Sequence, residues 1–193
     1  INGKKRYCLW LKGISPAEYR GIPEIMERLN GVADTRRKTK TVAVQAQAET
    51  PMLFSQIRQP DSNYLAIPEV SSEKRRYIPI GFMTPNIIAS NKLYLVPKAD
   101  LYMLGVMISN VHMAWMRAVC GRLKSDYSYS PAVYNNFPWP IPTEAQKAKI
   151  EQTAQAILDA RALYPDCSLA DLYDEVAMPP ELRKAHQQND RAV

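Results

Sequence analysis

The chain has 193 residues, 46% of them hydrophobic and 23% charged, with a formal net charge of +6. This is the balance of a globular domain, which excludes a disordered chain, and the length suits one sizeable domain or a compact domain with an appendage. No apolar run approaches the roughly 18 residues that a spanning helix requires, so no membrane segment is expected.

The opening INGKKRYCLWL has neither the apolar core of a secretory signal nor an initiator Met, so the chain reads as an excerpt of a longer one. From Ser15, the Pro at the next position and Glu18 three residues on suggest a capped helix over 15–30. Ile22, Ile25, Met26 and Leu29 stand at helical spacing, and Gly31 is a natural stop. A second helix is expected from Asp34 to about Ala48, where neither Pro nor Gly intervenes. Its first turns carry Arg36, Arg37, Lys38 and Lys40, which point to several sides, so part of the group faces solvent or a ligand. Tyr64 to Ile67, Tyr77 to Phe82 and Lys92 to Val96 are short β-rich runs and predict three strands. Between the first two, SSEKRR (71 to 76) is a polar connection of open-hairpin length whose tip would project from the sheet.

Asp100 to Gly121 reads as one helix, capped by Asp100 and ended by Gly121. Leu101, Leu104, Ile108, Val111, Trp115 and Val119 form its apolar stripe. Residues 125 to 142 carry four prolines and read as irregular. A regular helix is expected from Thr143 to about Tyr164, a short one over 168–176, and a last one from Glu181 after Pro179-Pro180 breaks the chain. The expected fold is α+β: a small mixed or antiparallel sheet with flanking helices over residues 1–139, followed by an α-helical C-terminal subdomain over 140–193.

The charge divides at the same place. Residues 1 to 139 hold 19 Lys+Arg against 10 Asp+Glu, whereas residues 140 to 193 hold 6 against 9. A basic domain beside an acidic tail favours a polyanionic partner, usually nucleic acid, because neutralised phosphates release condensed counterions; the bland alternative is a domain that happens to be positive. Cys8, Cys120 and Cys167 fit neither a disulfide framework nor a zinc pattern. With only His112 and His186 to add, no metal site is expected. The seven glycines never stand in a phosphate-loop setting, and no nucleophile elbow, triad or HExxH occurs, so no catalytic residue is assigned.

SSEKRR supplies the donors and acceptors a DNA groove asks for. Arg can bind guanine bidentately, Glu can accept from the cytosine amine, and Ser and Lys can hold phosphates; turns are also commonly polar and solvated with no such role. The cluster Arg36, Arg37, Lys38, Lys40 could face phosphates or be a solvated helix face. Arg122 and Lys124, just past a helix end, could hold a phosphate or complement the helix dipole. Tyr134, Phe137 and Trp139 could stack on bases, but between prolines they more often plug a core, and His112 reads as a satisfied buried imidazole.

QIRQPDSNYLAIPEVSSEKRRYIPIGFM (56 to 83), SNVHMAWMRAVCGRLKSDYSYS (109 to 130), VYNNFPWP (133 to 140) and LYDEVAMPPELRKAHQQND (172 to 190), in that order, resemble the C-terminal part of MmeI-like enzymes. These are long DNA adenine methyltransferases, many fused to an endonuclease in type IIL/IIG restriction-modification systems. RYCLWL is similar to the junction that follows their methyltransferase core. The resemblance implies a target recognition domain that reads double-stranded DNA so that the methyltransferase domain of the same polypeptide, using S-adenosylmethionine, can methylate the N6 of a flipped adenine in the cytoplasm. It places Ser71, Ser72, Glu73, Lys74, Arg75 and Arg76 at the DNA, and more weakly Arg36, Arg37 and Lys38. The family's Asn-Pro-Pro-Tyr type motif, its cofactor glycine loop and any nuclease signature are absent from these residues, so the excerpt alone is not expected to be catalytic or to hold a cofactor. Two other readings stay open: a protein-interaction module anchored at Phe137 and Trp139, and a free-standing enzyme with an unrecognised site.

Overall fold

In the computed structural model, which describes residue 3 and residues 6–193, the expected capping box forms at Ser15, whose backbone N–H donates to Glu18 Oε1 at 3.1 Å. The helix it starts, α1 (Pro16–Tyr19), lasts one turn. Pro23 disfavours a helical backbone at Ile22, which is extended (φ −107°, ψ 104°), and a new helix, α2 (Pro23–Lys38), begins at the proline. The expected stop at Gly31 does not occur. A glycine inside a helix costs about 1 kcal/mol, which is outweighed here because Leu29 and Ala33 on either side are buried. The helix ends at an extended Thr39, so the helix expected over 34–48 is replaced by the end of α2, α3 (Val42–Ala46) and a 3-10 turn at Gln47–Glu49. Leu11, Tyr19 and Leu29 form the core here, with Ile25, Met26 and Met52 packed on it. This is one of two compact units, and it ends at Arg58.

The other unit comprises Gln59–Val193. Its main sheet has the order β3-β1-β4, from β1 (Tyr64–Pro68), β3 (Gly81–Met83) and β4 (Leu93–Pro97), all antiparallel, with Leu65 opposite both Phe82 and Val96. Every residue of β1 is buried, which is why its sequence is an unbroken apolar run rather than an alternation. The hairpin expected over 64–82 is not formed. β2 (Val70–Ser71) leaves the sheet and pairs with β6 (Asp126–Ser128) in a second sheet of order β2-β6-β5, where β5 is Gly121–Leu123. Of the expected strand 77–82 only Gly81 and Phe82 join the ladder. Pro79 has no N–H to give, and Ile80 turns its own N–H to Ile78 O at 2.9 Å.

The single helix expected from Asp100 is two. Asp100 caps α4 (Leu101–Met107), accepting from Met103 N–H at 2.7 Å, but Ser109 breaks the run and caps α5 (Asn110–Val119). The break rotates the second half: Val111 and Val119 are exposed, while His112, Met113 and Met116 enter the core. Within the segment expected to be irregular, β6 and α6 (Pro131–Asn135) form. The C-terminal helices α7 (Glu144–Ala162) and α9 (Pro180–Ala192) follow the expected spans closely, whereas the helix expected over 168–176 is a single turn, α8 (Leu169–Leu172), and Val176 lies beyond it, exposed. They share one core with the main sheet, since Leu65, Ile67 and Leu104 lie in the same cluster as Ile157, Leu172 and Leu182. The fold is α+β with C-terminal helices. No described helix is long and apolar enough to cross a membrane.

Two polar anchors fasten α9. Asn189 is fully buried, donating to Gly105 O at 2.8 Å and accepting from Thr153 Oγ1 at 2.9 Å. Asp190 accepts from Tyr77 Oη at 2.6 Å and from the backbone and side-chain amides of Asn110 at 2.8 and 2.7 Å.

Candidate nucleic-acid interface

β5 and β6 form a tight hairpin. Leu123 stands opposite Asp126, leaving Lys124 and Ser125 as a two-residue turn, with Lys124 in the left-handed region at φ 56°. The segment 71–76 runs beside it. Ser71 pairs with Tyr127, the Glu73 N–H donates to Asp126 Oδ1 at 3.3 Å, and the Glu73 carboxylate lies 3.6 Å from Arg122 Nη1. Arg122 also donates to Ser125 O at 2.8 Å and sits 4.1 Å over the ring of the buried Tyr127. Two groups of candidate residues that are remote in sequence are therefore one construction, in which Glu73 and Arg122 brace each other.

Within that construction the candidates differ. Ser71 is buried, so the contact role expected of its side chain is not available to it. Ser72 is half-buried. Arg75 is half-buried and donates to Ala170 O at 3.3 Å, on the helix side of the unit. Nearby, hydrogen bonds from Ser168 hold the Asp171 carboxyl below its usual range. The amides of Val176 and Ala177 do the same for Asp174, and in both cases Arg75 adds a smaller pull. Lys74, Arg76 and Lys124 are exposed, and among the described residues none has a carboxylate within 4.0 Å.

Lys74 and Arg76 line a shallow cleft together with the buried Tyr77, Tyr173 and Met178 and with Asp174, Glu175 and Arg183. Tyr77 is the hinge pin of this segment. Its ring stacks on His186 with centroids 4.1 Å apart, its hydroxyl is held by Asp190, and burial, then the Asp190 contact, push its pKa up. Nothing in the local sequence marked Tyr77 or Asp190 as supports; the pairing spans most of the unit.

In the other unit Arg36 is spent on structure. Its guanidinium donates to the carbonyls of Gln47, Thr50 and Leu53 at 2.8, 3.0 and 2.7 Å, closing the loop after α3, so the ligand-facing role expected of it gives way. Arg37 forms an exposed ion pair with Asp34 at 3.0 Å, while Lys38 and Lys40 are exposed.

The aromatic candidates are interior. Phe137 is buried, edge-on to Trp139 at 5.3 Å, and the Trp115 indole donates to Val133 O at 2.9 Å. Tyr134 and Trp139 are half-buried and pack on the main core, which removes the exposed anchor that a protein-interaction module would have needed there. His112 is fully buried with Nε2 3.0 Å from Tyr129 Oη, and desolvation lowers its pKa to about 4.

An α+β scaffold that grips a cation-bearing hairpin from behind, and leaves its outer cations unpaired, defines a recognition module. The chain belongs to the MmeI target recognition domain family, which matches residues 1–141, and residues 142–193 match the MmeI C-terminal domain family. It is 39% identical over 194 residues to DNA methyltransferase A of Bacillus subtilis (strain 168), covering 100% of this chain and 22% of that protein. Among solved structures it is similar to the type IIL restriction-modification enzyme MmeI in complex with DNA. There the identity is 49% and the TM-score 0.93, over 100% of this chain and 26% of that one. The chain thus spans about a quarter or less of the relatives it matches.

Proposed function

We propose that this chain reads double-stranded DNA on behalf of an adenine-N6 methyltransferase of the MmeI type, with residues 1–139 as the recognition domain and 140–193 as part of a helical region that supports it. The observation that carries the reading is the braced hairpin. The pairing of Ser71 with Tyr127, the Glu73 amide bond to Asp126 and the Glu73–Arg122 contact tie segments 71–76 and 121–128 together, while Lys74, Arg76 and Lys124 stay exposed without a carboxylate partner among the described residues, Arg76 lying 5.5 Å over the Tyr77 ring. Unpaired cations on a fixed frame suit a polyanion whose charges sit at fixed spacing. Lys74, Arg76 and Lys124 are assigned to phosphates and Ser72 to the groove side, while Glu73 and Arg122 hold the frame. Arg37, Lys38 and Lys40 are further phosphate contacts of the other unit. Arg75, held at Ala170 O, orients the segment.

S-adenosylmethionine, the methyl donor of such an enzyme, does not fit the residues present. The cleft bordered by Lys74 and Arg76 is shallow and mixed in charge, and no glycine-rich loop adjoins it. Its place in this proposal is the methyltransferase domain of the same polypeptide.

Binding of the chain to a mixed-sequence duplex, followed by anisotropy over a salt series, tests the reading. Six phosphate contacts predict that log K falls with log salt at a slope of about −5.4, and Arg76→Glu or Lys124→Glu should flatten it by about one unit each. No retained duplex at low salt, or a slope near zero, defeats the proposal.

A further inference from the structure

We propose that Leu123 is an apolar wedge that the β5–β6 hairpin presses into the base stack of bound duplex DNA, beside a phosphate held by Lys124. The proposal rests on the DNA-reading function above and says how the hairpin engages the duplex.

Leu123 ends β5 and is 57% exposed. Side chains alternate along a strand, and Arg122 is committed to the inward face, over the ring of Tyr127, so Leu123 is turned to the opposite, outer face. Its cross-strand neighbour Asp126 already accepts from the Glu73 amide, and the turn that follows offers the exposed Lys124 and Ser125. The tip therefore presents an apolar group flanked by a cation and a hydroxyl. A lone exposed leucine on an open surface needs no explanation. This one stands at the end of an arm braced by the Glu73–Arg122 ion pair, the Arg122 bond to Ser125 O, and the Glu73 bond to Asp126. These contacts fix the direction in which the tip carries its side chain.

Duplex DNA is the occupant that fits. A two-stranded ribbon enters a groove, the cations of the tip and of segment 71–76 complement the phosphates, and leucine is among the side chains that pry base steps apart. An enzyme that must extrude a base gains from a neighbouring step that is already loosened.

The experiment uses the 193-residue chain and a pool of duplexes in which every position is thymine in some members. Retained duplexes are treated with permanganate, which oxidises unstacked thymines. The expected result is one hyperreactive step in the bound pool. In Leu123→Ala that step should return to the free-duplex level and affinity should fall about tenfold, the scale of one lost apolar contact. Leu123→Met should restore both, and Lys124→Ala should weaken binding while keeping the step. Because Leu123 is exposed, its alanine variant should melt within about 2 °C of wild type, so loss of the step cannot be ascribed to unfolding. Bound duplex with no hyperreactive step, or a step that persists in Leu123→Ala, overturns the wedge while leaving DNA reading intact. Failure to retain any duplex overturns DNA reading itself, and the wedge with it.

Discussion

Removing the Asp190 carboxylate should unfasten the recognition segment from the C-terminal helices. Asp190 accepts three hydrogen bonds, from Tyr77 Oη at 2.6 Å and from the two amides of Asn110 at 2.8 and 2.7 Å. Tyr77 is 1% exposed, so in Asp190→Ala its hydroxyl loses its charged acceptor, a loss of about 2 kcal/mol. The Asn110 amides are partly exposed, and water replaces the carboxylate there, so they add about 1 kcal/mol. The expected total is about 3 kcal/mol. Tyr77→Phe, which removes the donor and leaves Asp190 its other partners, should cost about 1 kcal/mol. In the double variant nothing is stranded, so its cost should fall short of the sum by about 1–2 kcal/mol. Asp190→Asn should not rescue, because an amide nitrogen would face one of three converging donors. Urea unfolding at neutral pH, with an unchanged m-value, measures all four. Additive single and double variants, or an Asp190→Ala variant within about 0.5 kcal/mol of wild type, would refute the reasoning.

Gly105→Ala should destabilise by about 1–3 kcal/mol despite alanine's better helix propensity. A Cβ there would lie 2.6 Å from Ile150 Cγ2 and 3.1 Å from Asn189 Oδ1, and a higher melting temperature would contradict it. Arg36→Ala should cost about 2 kcal/mol in the unit ending at Arg58, because it strands part-buried carbonyls of Gln47 and Leu53; proteolysis after Gln47 would report the loosened loop. Lys124→Gly should leave stability unchanged or raise it by up to about 1 kcal/mol, since glycine accepts φ 56° freely, while weakening duplex binding at every sequence; parallel loss of stability would count against it. Stability should also fall on acidification. His112 is neutral in the fold with a pKa of about 4 against 6.5 in the unfolded chain, so the unfolded state binds the extra proton. Its contribution is intact above about pH 6.5, is lost progressively down to about pH 4, and amounts to about 3 kcal/mol. His186, also lowered by burial, acts with the same sign, and a His112→Leu variant should show a shallower melting-temperature profile between pH 4.5 and 7.5.

Local signals translated well where local physics decides. The Ser15–Glu18 capping box, the Asp100 cap and the long α7 are properties of a few adjacent residues, and they formed where the chain showed them. Errors came where a tertiary contact outweighed a local rule. Gly31 did not stop α2 because Leu29 and Ala33 were buried around it. The stripe read through Asp100–Gly121 lost its phase at Ser109, a capping residue hidden inside an apolar run. The hairpin read at 71–76 depended on strand pairing, and β2 found its partner in β6 rather than in β3. The candidate cations were visible as a composition. Whether each was free or spent was not, because the carbonyls that occupy Arg36 and Arg75 are eleven to ninety-five residues away.

The division of charge at Pro140 acquires a structural meaning from these contacts. Lys74, Arg75 and Arg76 are adjacent like charges, and a segment carrying them gains nothing from its own neighbours that would hold it in place. Besides its contacts with β6 and Arg122, what holds it comes from the acidic C-terminal region: Ala170 O beside Asp171 and Asp174 takes Arg75, and Asp190 takes Tyr77. The cations on either side of Arg75 are left outward. Substitutions at Lys74, Arg76 or Lys124 should therefore change what the surface binds with little change in stability. Substitutions at Arg75 or Tyr77 should move both together, because those two side chains are where the recognition segment and its support are joined.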